Sequence, residues 1–207
     1  KLTKQDIERI SKIENVKVKD TNFSTEGFLT VKLEYEDEDY EVGIFPGPVS
    51  VPGYYLNKNF LFKEEEIDAI LSAKSSVTIF MEFKKDVKKA YHLQLKIAVA
   101  LVPDLLAVLD ESAERVLPAK WVILQAQSKV LPSSRDMFVV QAIEGKDGKV
   151  WLHTHGLCRC HTTELEILDS TKENSQNHYN LLSTYAMFLL DKTEPFDPRT
   201  ESAYIGR

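Results

Sequence analysis

The feature that most constrains the fold is a period-two alternation of apolar and polar residues. Between Leu29 and Tyr35 every second residue is apolar and the residues between them are polar or charged, and the same alternation recurs at 16–19, 40–44 and 77–83. Successive side chains of a strand point to opposite faces, so each segment has one buried and one wet face. This pattern favours antiparallel sheets over the fully buried strands of a parallel sheet.

Helical patterns interrupt the strands. Thr3 is followed three residues later by Asp6, which predicts a capping box at the start of a helix over 3–13. The acidic run at 64–66 predicts the start of a helix that ends near Ser72, because carboxylates stabilise the positive end of a helix. We expect further helices at 87–101, capped by Asp86, at 104–109, at 118–127 with a strand as the alternative, and from Asn174 or Ser175 to about residue 189.

The second half adds another sheet. A glycine-containing loop joins the strand patterns 137–143 and 149–152, which predicts a hairpin, and a further strand is expected at 163–168. The predicted fold class is α+β, with mainly antiparallel sheets packed by amphipathic helices. We expect residues 1–73 to form an N-terminal α/β subdomain of helix, β-meander and helix, and 74–207 to form a C-terminal α+β domain.

Charge and cysteine content narrow the function classes. The net charge of −6 repels phosphate backbones, so we expect no nucleic-acid partner. The most apolar stretch, 97–109, is interrupted by Pro103 and is too short to span a bilayer, so no membrane association is expected. Cys158 and Cys160 have one residue between them, so a disulfide between them would be strained. Two unpaired cysteines fit a reducing compartment, which favours a cytoplasmic location.

One short segment concentrates the residue types that carry chemistry. Of the five histidines and two cysteines in the chain, three histidines and both cysteines lie within nine residues, namely His153, His155, Cys158, Cys160 and His161. Imidazole and thiolate are the ligands that zinc prefers in proteins, so this segment is a candidate zinc site. On a strand, His153 and His155 share a face with Trp151 beside them.

The geometry after the histidines decides between the alternatives. If the chain resumes an extended course after Gly156, the two cysteines share a face, and Glu164 on the next strand can serve as a ligand. The simplest zinc site then combines His153, His155 and Glu164. Structural zinc sites usually have two residues between paired cysteines, whereas here there is one, so ordinary half-buried sheet residues are the competing interpretation. A nucleophilic cysteine activated by a nearby histidine is a further alternative.

Several short stretches together resemble a known family. They are Val108-Leu109-Asp110, Ser112-Ala113, Trp121-Val122, Val139-Val140, the stretch from Trp151 to Leu157, and Glu164-Leu165-Glu166-Ile167. The pattern resembles a bacterial family of uncharacterised proteins, classed as a domain of unknown function, over residues 75–207 and more loosely before them. The tail 203–207 is similar to the lead-in to a second small uncharacterised domain, so we expect a piece of a longer protein. The resemblance implies a bacterial, cytosolic, mixed α/β protein and brings no activity with it.

The leading functional hypothesis is a non-enzymatic binding module of a larger bacterial cytosolic protein, with a protein partner. It rests on a regular sheet-and-helix pattern that contains no nucleophile elbow, phosphate-binding loop or HExxH motif. An immunity protein that neutralises a toxin by docking an acidic surface is one concrete form, and the net charge of −6 is compatible with it. The alternative is a metalloprotein or metal-dependent hydrolase centred on His153 and His155.

Overall fold

The computed structural model describes residues 2–56 and 61–191. Helices and antiparallel sheets follow each other irregularly along this part of the chain, so the predicted α+β class is confirmed. The chain divides into two compact units, unit 1 from Lys1 to Pro132 and unit 2 from Ser133 to Arg207. No helix within the described ranges is long and apolar enough to cross a membrane.

The described residues of unit 1 form a four-stranded sheet, a two-stranded sheet and four α-helices. In chain order its elements are α1 (Lys4–Ser11), β1 (Val16–Phe23), β2 (Leu29–Tyr35), β3 (Glu38–Pro48), α2 (Glu64–Ser72), β4 (Ser75–Met81), α3 (Val87–Leu101), β5 (Ala107–Asp110), β6 (Arg115–Pro118) and α4 (Ala119–Gln127). Strands β1 to β4 pair in sequence order, each antiparallel to the next. This meander is the arrangement that the period-two alternation predicts.

The sheet buries one face. The apolar residues of β2 are almost fully buried while the polar residues between them are not, as the alternation requires. Helix α3, whose start is capped by the Asp86 carboxylate, contacts β4 and α1 and is the most extensively buried helix of the chain's described part. The predicted capping box at Thr3 and Asp6 is present. Glu36 and Asp37 have positive φ and form the tight turn between β2 and β3.

One predicted helix is wrong. Residues 104–109 do not form a helix; β5 occupies Ala107–Asp110 and pairs with β6. The reason is the turn that follows, because the Asp110 carboxylate accepts a hydrogen bond from the Ala113 amide and forms an ion pair with Arg115 at 3.2 Å, which closes the hairpin. The segment after Pro118 is helical rather than extended.

The division of the chain falls later than the sequence pattern indicates. Strands β3 and β4, which lie on either side of residues 73 and 74, are hydrogen-bonded neighbours from Val42–Met81 to Pro48–Ser75. The expected boundary at 73/74 therefore falls inside unit 1, and the structure divides after Pro132. Strands β3 and β4 are separated in sequence by α2, and local periodicity does not show that two such strands pair. This explains the difference.

Unit 2 is a three-stranded antiparallel sheet with one long helix. Its elements are β7 (Val139–Glu144), β8 (Val150–His155), β9 (Glu166–Ser170) and α5 (Ser175–Asp191), in the sheet order β7-β8-β9. The predicted hairpin is confirmed, and the third strand begins three residues later than expected. Helix α5 contacts all three strands. The tail 203–207 lies outside the described residues.

Candidate functional site

Strand β8 sorts the cluster's first residues onto one face of the sheet. In the register of the hairpin, Trp151 lies opposite Ile143 and His153 lies opposite Gln141. Leu152 and Thr154, which alternate with these residues along β8, are almost fully buried. The expectation that Trp151, His153 and His155 share a face is therefore confirmed.

The three rings form a continuous ladder. The Trp151 indole stacks on the His153 imidazole with ring centroids 3.9 Å apart and planes inclined by 27°. The His153 ring meets that of His155 edge-to-face at 4.7 Å. His153 is only 8% exposed, whereas Trp151, which covers it, is 39% exposed. Ring pairs in these arrangements are attractive, so each ring restrains the next.

Strand β9 fixes the indole from the other side. Glu166 lies opposite His153 in the antiparallel pair, and its Oε2 accepts a hydrogen bond of 3.1 Å from the Trp151 indole nitrogen. The indole is thus held by a ring on one side and a carboxylate at its edge, while its remaining surface faces outward. We call Ile143, Trp151, His153, His155 and Glu166 together the Trp151 face.

After β8 the chain turns instead of continuing extended. Gly156 has a φ of +110°, Cys158–Cys160 form a short 3₁₀ turn, and His161 closes it in the left-handed region with a φ of +60°. The extended course that would have placed the two cysteines on one strand face is therefore not found. Cys158 is exposed and Cys160 is buried, because a turn directs neighbouring side chains to different sides of its axis.

The Glu164 carboxylate holds this turn together. Its Oε1 accepts hydrogen bonds from the backbone amides of Gly156 and Cys158 at 2.9 and 3.0 Å. Its Oε2 accepts a hydrogen bond of 2.7 Å from the Thr154 hydroxyl. Charge-assisted bonds of this kind are stronger than neutral ones. Thr154 alternates with His153 and His155 along β8, so the carboxylate serves the side opposite the two imidazoles.

The predicted ligands are consequently dispersed. His153 and His155 lie in ring contact on β8, and Glu164 binds backbone amides of the turn. Cys158, Cys160 and His161 belong to the turn itself. Within residues 2–56 and 61–191 no group of three or more His, Cys, Asp or Glu side chains is arranged to hold a metal ion. Zinc sites in proteins take at least three protein ligands, so the two imidazoles are insufficient by themselves.

The cysteine chemistry does not favour a nucleophile. Although Cys158 is exposed as a residue, partial desolvation of its sulfur raises the pKa of the thiol, and the nearby Glu164 carboxylate raises it further. A reactive cysteine needs the opposite shift, since the thiolate is the attacking form. Cys160 is buried, with its sulfur 3.8 Å from the Gly156 carbonyl oxygen.

Sequence reasoning missed two apolar residues beside the ladder. Ile143, directly opposite Trp151, is 47% exposed, and Leu168, two residues beyond Glu166, is 62% exposed. The signal for Ile143 was present, because the five residues 145–149 between the strands place Glu144 opposite Val150 and hence Ile143 opposite Trp151. Leu168 follows a register shift between β8 and β9 that the sequence does not indicate.

Comparison with known families gives two matches that together span most of the chain. Residues 1–132 match the N-terminal model of a family described as a protein of unknown function, DUF4026, and residues 139–207 match its C-terminal model. The chain belongs to the DUF4026 family. The resemblance to a family of unknown function is thereby confirmed. No curated protein matches, and no solved structure matches.

The two DUF4026 models meet where the structure divides. The N-terminal model ends at residue 132, and unit 1 ends at Pro132; the C-terminal model begins at residue 139, where β7 begins. Each DUF4026 region therefore corresponds to one compact unit, and the Trp151 face lies wholly within the C-terminal one.

Proposed function

We propose that this chain is a non-enzymatic binding module of a bacterial cytosolic protein, and that the Trp151 face is the surface that contacts its protein partner. The observation that carries the proposal is the exposure of three large apolar residues on or beside one outward sheet surface: Ile143, Trp151 and Leu168. Exposed apolar groups that adjoin one another mark interaction sites more often than isolated ones do.

The way Trp151 is held supports binding rather than chemistry. Its stack on His153 and its hydrogen bond to Glu166 leave the indole few alternative orientations in the free protein. A side chain that is already ordered loses less entropy on association, so more of its contact energy contributes to affinity. Tryptophan is also the residue most enriched among those whose truncation weakens protein complexes.

Charge indicates the class of partner. The chain carries a net charge of −6, and Glu166 places a carboxylate at the edge of the exposed indole. The neighbouring charges Lys149 and Asp169 neutralise each other in an ion pair of 2.7 Å. We therefore propose a partner with an apolar pocket bordered by lysine or arginine, as a basic toxin bound by an immunity protein would have.

The test is capture of the partner followed by a binding measurement with purified components. The protein and its Trp151→Ala variant are used at physiological salt on a lysate of the parent organism, and any captured protein is then purified and titrated. Loss of Trp151 is expected to weaken binding by about 2 kcal/mol, roughly thirtyfold. Leu124→Ala, which truncates an exposed apolar residue of unit 1, is the matched control and should bind as the parent does.

Two results would overturn the proposal. One is a purified partner that binds the parent protein and the Trp151→Ala variant equally well, since the face would then carry no affinity. The other is recovery of no specific partner at physiological salt.

A further inference from the structure

The four-stranded sheet of unit 1 has two edges of different character. Edge strand β1 carries Lys17, Lys19 and Asp20 and has a register shift between Val18 and Asp20. Charges and bulges are the devices by which proteins keep edge strands from pairing with other chains. Edge strand β4, Ser75–Met81, has no charged residue, no proline and no register shift.

Backbone groups of β4 are accessible to a donor that does not come from β3. The Ile79 carbonyl oxygen accepts a hydrogen bond of 3.1 Å from the Gln94 side-chain amide of α3. A carbonyl oxygen has two lone pairs, so this contact leaves capacity for a backbone amide on the same side. Within the described part of the chain, β3 is the strand that pairs with β4, so a further strand at the other edge would have to accommodate the Gln94 side chain.

We propose that β4 pairs with β4 of a second copy of this chain, antiparallel and about a two-fold axis at Thr78, to form a continuous eight-stranded sheet. The symmetry of the strand favours a second copy over an unrelated peptide. In this register Val77 lies opposite Ile79 of the second copy, so β-branched residues meet on one face. On the other face Ser76 lies opposite Phe80 of the second copy.

Charge complementarity fixes the register. Lys74 and Glu82 flank β4, are both exposed, and stand at equal distances from Thr78. The two-fold axis therefore places Lys74 of each copy opposite Glu82 of the other, which gives two attractive cross-strand pairs. A shift by one residue in either direction would remove both pairs and turn the strand's faces over.

The outer surface next to this edge accommodates a second strand. Phe80 is 49% exposed and contacts Phe45 and Phe28, with ring centroids 6.4 and 5.6 Å away. Ser76 of the second copy would adjoin Phe80, and its small side chain leaves room for the ring. The dimer would thus remove exposed aromatic surface from water without displacing the cluster.

The experiment is sedimentation equilibrium on the full chain and on charge-reversal variants at low salt. The parent protein should be in monomer–dimer equilibrium. Lys74→Glu and Glu82→Lys each replace two attractive pairs by two repulsive ones, and each should raise the dimer dissociation constant about tenfold. The combined Lys74→Glu/Glu82→Lys variant restores opposite charges and should dimerise as the parent does. An equimolar mixture of the two single variants should form a heterodimer.

Controls separate this result from general charge effects. Lys12→Glu changes the net charge by the same amount as Lys74→Glu at an exposed site outside the strand and should leave the dissociation constant unchanged. Circular dichroism of each variant checks that the fold is retained. A parent protein that stays monomeric up to about 1 mM would overturn the proposal, because weak strand pairing is detectable there. Equal dissociation constants for all variants, or failure of the combined variant to recover, would overturn it as well.

Discussion

The ring of Phe80 lies directly over the backbone of Gly43: a Cβ added to Gly43 would come within 2.1 Å of the Phe80 Cζ atom. The two residues are cross-strand partners on β4 and β3, so the aromatic ring fills the space that a side chain at position 43 would occupy. Glycine normally weakens a strand interior, and here the ring supplies the missing packing.

This relationship predicts that the effect of Gly43→Ala changes sign with the residue at position 80. In the parent protein the new methyl group displaces the ring, and we expect the free energy of unfolding to fall by about 1–2 kcal/mol. In a Phe80→Ala background the same change meets no ring and should be neutral or stabilising, since alanine loses less backbone entropy than glycine. Urea denaturation of the four proteins at one concentration measures the cycle. Equal effects in both backgrounds would show that the ring contact carries no energy.

Glu164 is expected to stabilise unit 2 through the turn after β8. Glu164→Ala leaves the amides of Gly156 and Cys158 without their carboxylate acceptor, and we expect a loss of about 2–3 kcal/mol in the free energy of unfolding. Glu166→Ala is the matched control on the next strand. Its carboxylate is exposed and accepts one hydrogen bond from the Trp151 indole, so its loss should cost less than about 1 kcal/mol. Urea denaturation and amide hydrogen exchange check both values, and similar losses for the two variants would contradict this role.

His92 couples the stability of unit 1 to pH. It is buried, its Nε2 lies 2.9 Å from the Gln125 carbonyl oxygen and its Nδ1 lies 3.3 Å from the Tyr35 hydroxyl. A carbonyl oxygen only accepts, so Nε2 carries the proton and Nδ1 accepts from the tyrosine. Burial lowers the pKa of His92, and the Lys96 charge lowers it further, while the hydrogen bond to the Gln125 carbonyl and the Glu36 charge act in the opposite direction.

The sign of the pH dependence follows from this shift. Just below pH 6.5 the histidine of the unfolded chain binds a proton while the folded one stays neutral. The free energy of unfolding should therefore be constant above that range and fall as the pH drops through 6.5 towards the lower pKa of the folded state. Urea denaturation from pH 7.5 to 5 should show a shallower fall in the free energy of unfolding for His92→Gln than for the parent. An unchanged slope in His92→Gln would refute the assignment.

The zinc content of the purified protein tests the hypothesis that His153 and His155 belong to a zinc site. Because the described residues hold no group of three ligands, protein purified without a metal-affinity step should contain far less than one equivalent of zinc. The His153→Ala/His155→Ala variant should give the same elemental analysis as the parent. Stoichiometric zinc that disappears in this variant would restore the metalloprotein hypothesis.

Much of the candidate site could be predicted from local pattern. The alternation along β8 was sufficient to place Trp151, His153 and His155 on one face, because side-chain direction in a strand depends only on parity. The hydrogen-bond partners of the Glu164 carboxylate could not be predicted in this way. Whether a carboxylate binds a metal or backbone amides depends on where a turn brings the N–H groups of Gly156 and Cys158, and the sequence indicates only that a turn is allowed there.

The sequence by itself determined the elements whose signals are local: the capping box of α1, the acidic start of α2, the stripe of α3 and the alternating strands of the first meander. Only the tertiary structure decided that Ala107–Asp110 is a strand, that β4 completes the sheet of β1 to β3, and that the chain divides after Pro132. The physical reason is the same in each case. Helix caps and side-chain periodicity are properties of neighbouring residues, whereas strand pairing and core membership depend on which residues meet across a turn or from distant parts of the chain.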